Sequence, residues 1–217
     1  VADGGSTDGT PEVAARFPRV QVLSCARGRG RQMNAGALAS RGELLVFLHA
    51  DTRLGSDHLD TLRRLVREPQ FAAGAFVFSL YPELPVFRVI AWGVNLRGRL
   101  LGLPYGDQAL TVRRSLFLEL GGYAHRRPED LDLVLRLRRH TRLRLVKPPV
   151  ATSGRRWLAE GYVRTTLKNW LFLACHLLER TFTRRWPERG ELEEVGGGGG
   201  QGAQPPAPSP TPPPPTP

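Results

Sequence analysis

The hydrophobic pattern of this chain alternates short apolar runs with segments of helical spacing. Residues 44–48 (LLVFL) form a continuous apolar run that suits a strand covered on both faces, and residues 20–23 make a shorter, β-rich one. The opening VADGGSTDGT reads as the end of a strand entering a glycine-rich turn. Thr10 as N-cap with Pro11 at the first helical position predicts a short helix over EVAARF, stopped by Pro18. A second helix is expected over about 32–40, closed by Gly42 just past its end. Strand, helix, strand, helix, strand within some fifty residues predicts a doubly wound α/β sheet, in which ligands sit beyond the carboxyl ends of the strands.

Further along, spacing predicts a helix over 57–66, strands over 72–80 and 108–113, and a helix over 114–120 ended by Gly121-Gly122. A helix over about 129–139, a strand over 143–146 and a long amphipathic helix over 162–182 complete the pattern. Residues 82–103, mixed apolar and basic, yield no assignment.

Composition divides the chain. From residue 188 an acidic patch, the run Gly196 to Gly200 and PPAPSPTPPPPTP hold too little apolar surface to offset their ordering entropy. The expectation is a folded domain over 1–187 and a disordered acidic, Gly- and Pro-rich tail over 188–217, whose PxxP pattern is a candidate ligand for an SH3 or WW groove. Without the tail's four acids and one base, the formal charge rises from +11 to thirty bases against sixteen acids, or +14. Such a field favours anionic partners without choosing among phosphates, nucleic acid and membrane. Two distant cysteines give no disulfide framework and no zinc spacing. With no signal peptide visible, a cytoplasmic location is expected, with peripheral membrane contact open. The apolar run 170–178 is too short to cross a bilayer. Within 168–182 it pairs an apolar face with flanking bases, which fits either core or a membrane interface.

Three stretches could carry chemistry. RGRGRQMNAG places Met33 where a dinucleotide fingerprint needs a third glycine, and no GxxxxGK[ST] occurs, so neither an NAD-type nor a P-loop site is indicated. Arg27, Arg29 and Arg31 could meet a diphosphate at a helix N-terminus, or simply be solvated. His49-Ala50-Asp51, at the end of the 44–48 run, suits a hard divalent cation shared with phosphate oxygens, Asp51 and His49 being the candidate ligands. The alternative is a helix cap beside a loop histidine. Glu129-Asp130 opens a helix with adjacent carboxylates: a general base, or plain charge at a positive helix end.

Taken in order, VADGGSTDGT, GRGRQMNAGA, LLVFLHADT, YGDQALTVRRSLFLELGGY and PEDLDLVLRLRR resemble the family 2 glycosyltransferases of GT-A fold. The resemblance is closest to the radical-SAM/selenodomain-associated transferase 2 subgroup. It implies a Rossmann-like mixed, mostly parallel sheet flanked by helices, here without the first strand that usually precedes the DGGSTDG stretch. By the same resemblance Asp3 contacts the donor nucleoside. Asp51 matches the last acid of a DxD motif whose first acid is His49 here, and it binds the donor diphosphate through Mg or Mn. Asp130, with Glu129 beside it, takes the acceptor hydroxyl proton in inverting members, and Arg29 or Arg31 helps neutralise the departing diphosphate. TSGRRW also resembles subgroup sequence, without a role. The implied partners are a nucleotide-sugar donor and an unknown acceptor. Two other readings stand beside it: an inactive transferase-like binding protein, and a nucleic-acid binder built on LRLRRHTRLRL, disfavoured because that segment lacks interleaved aromatics.

Overall fold

The computed structural model describes residues 1–125, 128–183 and Leu192. Of the proposed tail only Leu192 is therefore described: its N–H donates to the Gly121 carbonyl at 3.0 Å and it packs on the main core. The proline segment and its SH3 or WW motif lie outside the described residues.

The elements run β1 (Ala2–Asp3), α1 (Thr10–Ala15), β2 (Leu23–Ser24), α2 (Arg29–Ala39), β3 (Leu44–Phe47), β4 (Thr52–Arg53), α3 (Ser56–Arg67), β5 (Ala73–Tyr81) and α4 (Pro85–Leu101). A single 3-10 turn (Gly106–Gln108) follows, then β6 (Leu110–Arg113), α5 (Arg114–Glu119), α6 (Glu129–His140), β7 (Arg144–Ser153), α7 (Arg155–Glu160) and α8 (Tyr162–Thr183). β1 and β2 pair in parallel, and the other strands form a five-stranded sheet in the order β3-β6-β5-β7-β4. The architecture is mixed α/β with helices flanking a curled sheet, as expected. Parallel pairing is carried by β1–β2 and by the long β5–β7 ladder, whereas β6 runs antiparallel to both its neighbours and β4 runs antiparallel to β7.

Several boundaries differ from the sequence reading for identifiable reasons. Thr10 is the first helical residue of α1, not its cap: Asp8 Oδ1 accepts from both the Thr10 N–H (3.1 Å) and its hydroxyl (2.6 Å), so the aspartate takes the capping work. α2 starts at Arg29, nearly a turn early, with Gly28 at φ 141° as N-cap, and it ends on an extended Ser40 rather than through Gly42. β7 runs on through Pro148 and Pro149. A register shift between Phe76 and Phe78 of β5 absorbs them, since proline can occupy a strand where the ladder is interrupted. The unassigned 82–103 stretch is α4, with Pro85 in its first turn.

The main core packs β3, β5 and β6 against α5 and α6. Phe47, Phe117 and Tyr123 form an aromatic trio with ring centroids 4.9 to 5.7 Å apart. α6 is buried almost all round from Glu129 to Leu137, so its leucines contribute the usual 1.5–3 kcal/mol each, roughly, for full burial. Burial of that kind needs its charged members satisfied. Arg136 donates to Asp132 at 2.9 Å and to the carbonyls of Leu120 (2.7 Å) and Gly122 (2.6 Å), fastening the loop that leads into α6. The arginine-rich segment is thus partly structural: Arg136, at 1% exposure, is not available to nucleic acid.

Candidate active site

Asp130 lies at the positive end of α6, where the backbone favours a carboxylate, and the helix is anchored there by its neighbours rather than by a cap. α2 comes close because Gly30 carries no side chain: a Cβ there would stand 2.5 Å from the Ala124 carbonyl oxygen. Asn34 then clamps the same loop twice, donating to the Tyr123 carbonyl (3.0 Å) and accepting from the Tyr123 N–H (2.8 Å). Held so, Arg29 forks across the two acids, with Nε 2.9 Å from Glu129 Oε1 and Nη2 2.6 Å from Asp130 Oδ2. His49 Nε2 faces Asp130 Oδ2 from the β3 end at 3.9 Å. Asp130 Oδ1 is buried without a hydrogen-bond partner, as is His49 Nε2. Burial raises the Asp130 pKa above the ordinary carboxylate value, with His49 and Arg29 opposing the rise.

Asp107, which sequence reasoning did not single out, completes the cluster. Gln108 fixes its turn, accepting from the Tyr105 N–H (3.0 Å) and donating to the Phe76 carbonyl (3.0 Å), and the Thr152 hydroxyl donates to the Asp107 carbonyl (2.9 Å). The residue keeps some surface, but its carboxyl is enclosed and Oδ1 has no hydrogen-bond partner. Burial pushes its pKa up to about 6, with His49 and Arg97 pulling down and the carboxylates of Asp130 and Asp51 adding to the rise. The preceding Gly106 leaves no room for anything larger, since a Cβ there would fall 2.5 Å from the Asp130 carboxyl. The available signal was a short polar GDQ between two apolar stretches.

Asp51 sits in the turn between β3 and β4. Its carbonyl accepts from the Ser153 N–H (3.0 Å) and the Tyr81 hydroxyl (3.3 Å), and its carboxylate meets Arg155 Nη2 at 3.4 Å. TSGRRW therefore has a position, if not a role: Arg155 opens α7 directly against Asp51. Asp3, at the carboxyl end of β1, accepts from the N–H groups of Gly5 and Ser6 (2.9 Å each) and from the Ser6 hydroxyl (2.5 Å). These bonds, the Ser6 hydroxyl foremost, hold its pKa down. It is linked to the cluster through α2, whose Gln32 donates to the Ala2 carbonyl at 3.0 Å one turn beyond Arg29. Arg31 is exposed on that first turn.

The structure thus brings Arg29, His49, Asp51, Asp107, Glu129 and Asp130 together, with Asp3 across the first turn of α2. Arg29 is committed to the two acids of α6, which leaves Arg31 and Arg155 as the more exposed cations nearby. Among the described residues no group of three or more His, Cys, Asp or Glu side chains is arranged to hold a metal alone. The unpartnered His49 Nε2 and the half-exposed Asp51 carboxylate instead fit an ion that takes most of its oxygens from a bound phosphate and from water.

A family model described as Glycosyl transferase family 2 matches residues 1–130, which span all the acids of this cluster. No curated protein matches the chain. Among solved structures, one titled "Crystal Structure of a Mycobacterial Protein" is 16% identical with a TM-score of 0.45, and the match covers 69% of this chain and 52% of that one. The chain accordingly spans about half the length of that structure.

Proposed function

The chain belongs to glycosyl transferase family 2, and from that premise we propose that it moves a sugar from a nucleotide-activated donor to an acceptor hydroxyl with inversion at the anomeric carbon. Within the family we assign it to the radical-SAM/selenodomain-associated transferase 2 subgroup, on the order of its motifs. The observation that carries the reading is Asp130: a carboxylate with one oxygen held by Arg29 at 2.6 Å and the other buried and unpartnered.

In this reading Asp130 Oδ1 accepts the acceptor hydroxyl's proton while that oxygen bonds to the anomeric carbon. The carbon–oxygen bond to the diphosphate breaks, and the nucleoside diphosphate leaves with the bonding pair. Arg29 keeps Asp130 ionised and aimed, and Glu129 holds the second arm of Arg29. Asp3 receives the donor's nucleoside. A Mg or Mn ion held by Asp51 with His49 would offset charge on the leaving diphosphate. Arg31 and Arg155 add cations at the exposed side.

The test is diphosphate release from a panel of nucleotide sugars with Mg or Mn, offering water, glycerol and simple glycosides as acceptors. Release by the wild-type chain that falls at least about a hundredfold in Asp130→Asn is expected for a lost general base. Release equal in the two proteins, or none with any donor, contradicts the assignment and favours an inactive transferase-like binding protein.

A further inference from the structure

α4 and α8 each carry an apolar stripe that faces solvent. On α4 it runs through Val89, Trp92, Leu96 and Leu100, and on α8 through Val163, Leu167, Leu171 and Leu178, both at helical spacing. Val89 is 69% exposed, Leu100 73% and Val163 81%, so these are not core positions with a little surface showing. The helices meet along a groove of about 400 Å³ lined by Val86, Val89 and Ile90 on one side and by Val163, Leu167 and Trp170 on the other. Together they make one continuous apolar face, larger than the scattered apolar residues a soluble surface normally shows.

The charges around this face are mostly positive. Arg88, Arg99, Arg164 and Lys168 are exposed on the two helices, with Glu83 3.7 Å from Arg88 and Glu160 3.2 Å from Lys168. Where the α4 stripe ends at Leu100 and Leu101, a cleft of about 350 Å³ opens between Arg99, Arg138 and Arg142. Among the described residues no helix is long and apolar enough to cross a membrane. α4, with 17 residues, is about 25 Å long at the helical rise, which suits lying in an interface.

We propose that the α4–α8 face docks the protein on an anionic lipid bilayer, its apolar stripes entering the acyl boundary and its arginines meeting headgroup phosphates. Aliphatic residues flanked by Trp and by Lys or Arg are the composition of an interfacial helix, and each base near an anionic leaflet adds about 1 kcal/mol of attraction. A second copy of the chain is the poorer occupant, because self-pairing would bring the exposed Arg99 and Arg164 of two copies onto one apolar face, whereas an anionic surface meets them with opposite charge. The face is also tied to the site: Trp170 lies 5.8 Å from the Arg97 guanidinium, which stacks 3.8 Å over Tyr105, next to Gly106 and Asp107. If the transferase reading holds, on which this one consequence rests, the acceptor is borne by a lipid and delivered across that contact.

Flotation of the full chain with phosphatidylcholine vesicles, and with phosphatidylcholine–phosphatidylglycerol vesicles, tests the docking without any donor. The chain is expected to float with the mixed vesicles, less with the neutral ones, and progressively less as salt screens the charges. Val89→Glu and Val163→Glu, at positions too exposed to affect folding, should each weaken binding at least about tenfold. Trp emission should shift to the blue on vesicle addition. No flotation at low salt, flotation indifferent to both substitutions, or a dimer in sedimentation that Val163→Glu dissolves would each overturn the proposal. Because the readout needs no sugar, a chain that floats but transfers nothing refutes the enzymatic reading alone.

Discussion

Replacing Asp107 by Asn should stabilise the protein in a way that depends on pH. The carboxyl is enclosed, and its pKa in the fold is about 6 against an ordinary 3.8. A folded-state value above the unfolded one means that ionisation opposes folding: below pH 3.8 both states are neutral and nothing is lost, and above pH 6 both are ionised and the full cost applies. Two pKa units at 1.36 kcal/mol each give about 3 kcal/mol. Asparagine cannot ionise, so the stability difference between Asp107→Asn and wild type should grow by roughly 2.5 kcal/mol from pH 4 to pH 7, part of the cost being present already at pH 4. The amide must still find partners near a site where Oδ1 has none, which adds a constant that pH does not change. Urea unfolding at several pH values, with the two proteins compared at each, cancels the titrating groups remote from Asp107 and leaves its own contribution together with the smaller shifts of its neighbours His49, Asp51 and Asp130. A difference that stays flat from pH 4 to 7, or that shrinks as pH rises, refutes the reasoning.

Three further outcomes follow from the same geometry. Gly106→Ala would push a methyl group onto the Asp130 carboxyl, so transfer should fall at least about tenfold while α6, held by Arg136, stays folded by circular dichroism. Arg29→Gln removes a charge that opposes the raised Asp130 pKa; because the base works ionised, the acidic limb of the rate–pH profile should move to higher pH and the loss should be partly recovered there. Arg136→Met takes their donor from the buried Leu120 and Gly122 carbonyls and one cation from Asp132, and denaturant unfolding should record a loss of at least about 2 kcal/mol; a loss under about 1 kcal/mol would mean that the clamp is redundant.

Much of the architecture was legible because short buried strands announce themselves: the LLVF run is β3, and His49 and Asp51 fall just past its end. The acids of α6 were legible as adjacent carboxylates at a helix start. Their partner Arg29 was read as a phosphate-facing residue, because nothing local says that Gly30 and Asn34 dock α2 on the 123–124 loop. Asp107 was invisible for the same reason: its significance comes from enclosure by α4, β5 and β7, contacts of long sequence separation. β7 was cut short because two consecutive prolines ordinarily end a strand, and only the irregular register with β5 lets them through. α4 escaped assignment because its apolar residues, the buried Phe87 and Ala91 as well as the exposed Val89 and Trp92, are interleaved with arginines.

The central claim is that Asp3, Asp51 and Asp130, far apart in sequence, serve one sugar-nucleotide site. Calorimetric titration of nucleoside diphosphates into the full chain, with and without Mn, tests it most directly, with Asp3→Ala and Asp51→Ala in parallel. The account predicts saturable binding to at least one nucleoside diphosphate that Mn strengthens and that each substitution weakens about tenfold or more. Binding that neither substitution alters, or the absence of binding to any nucleoside diphosphate, would contradict it.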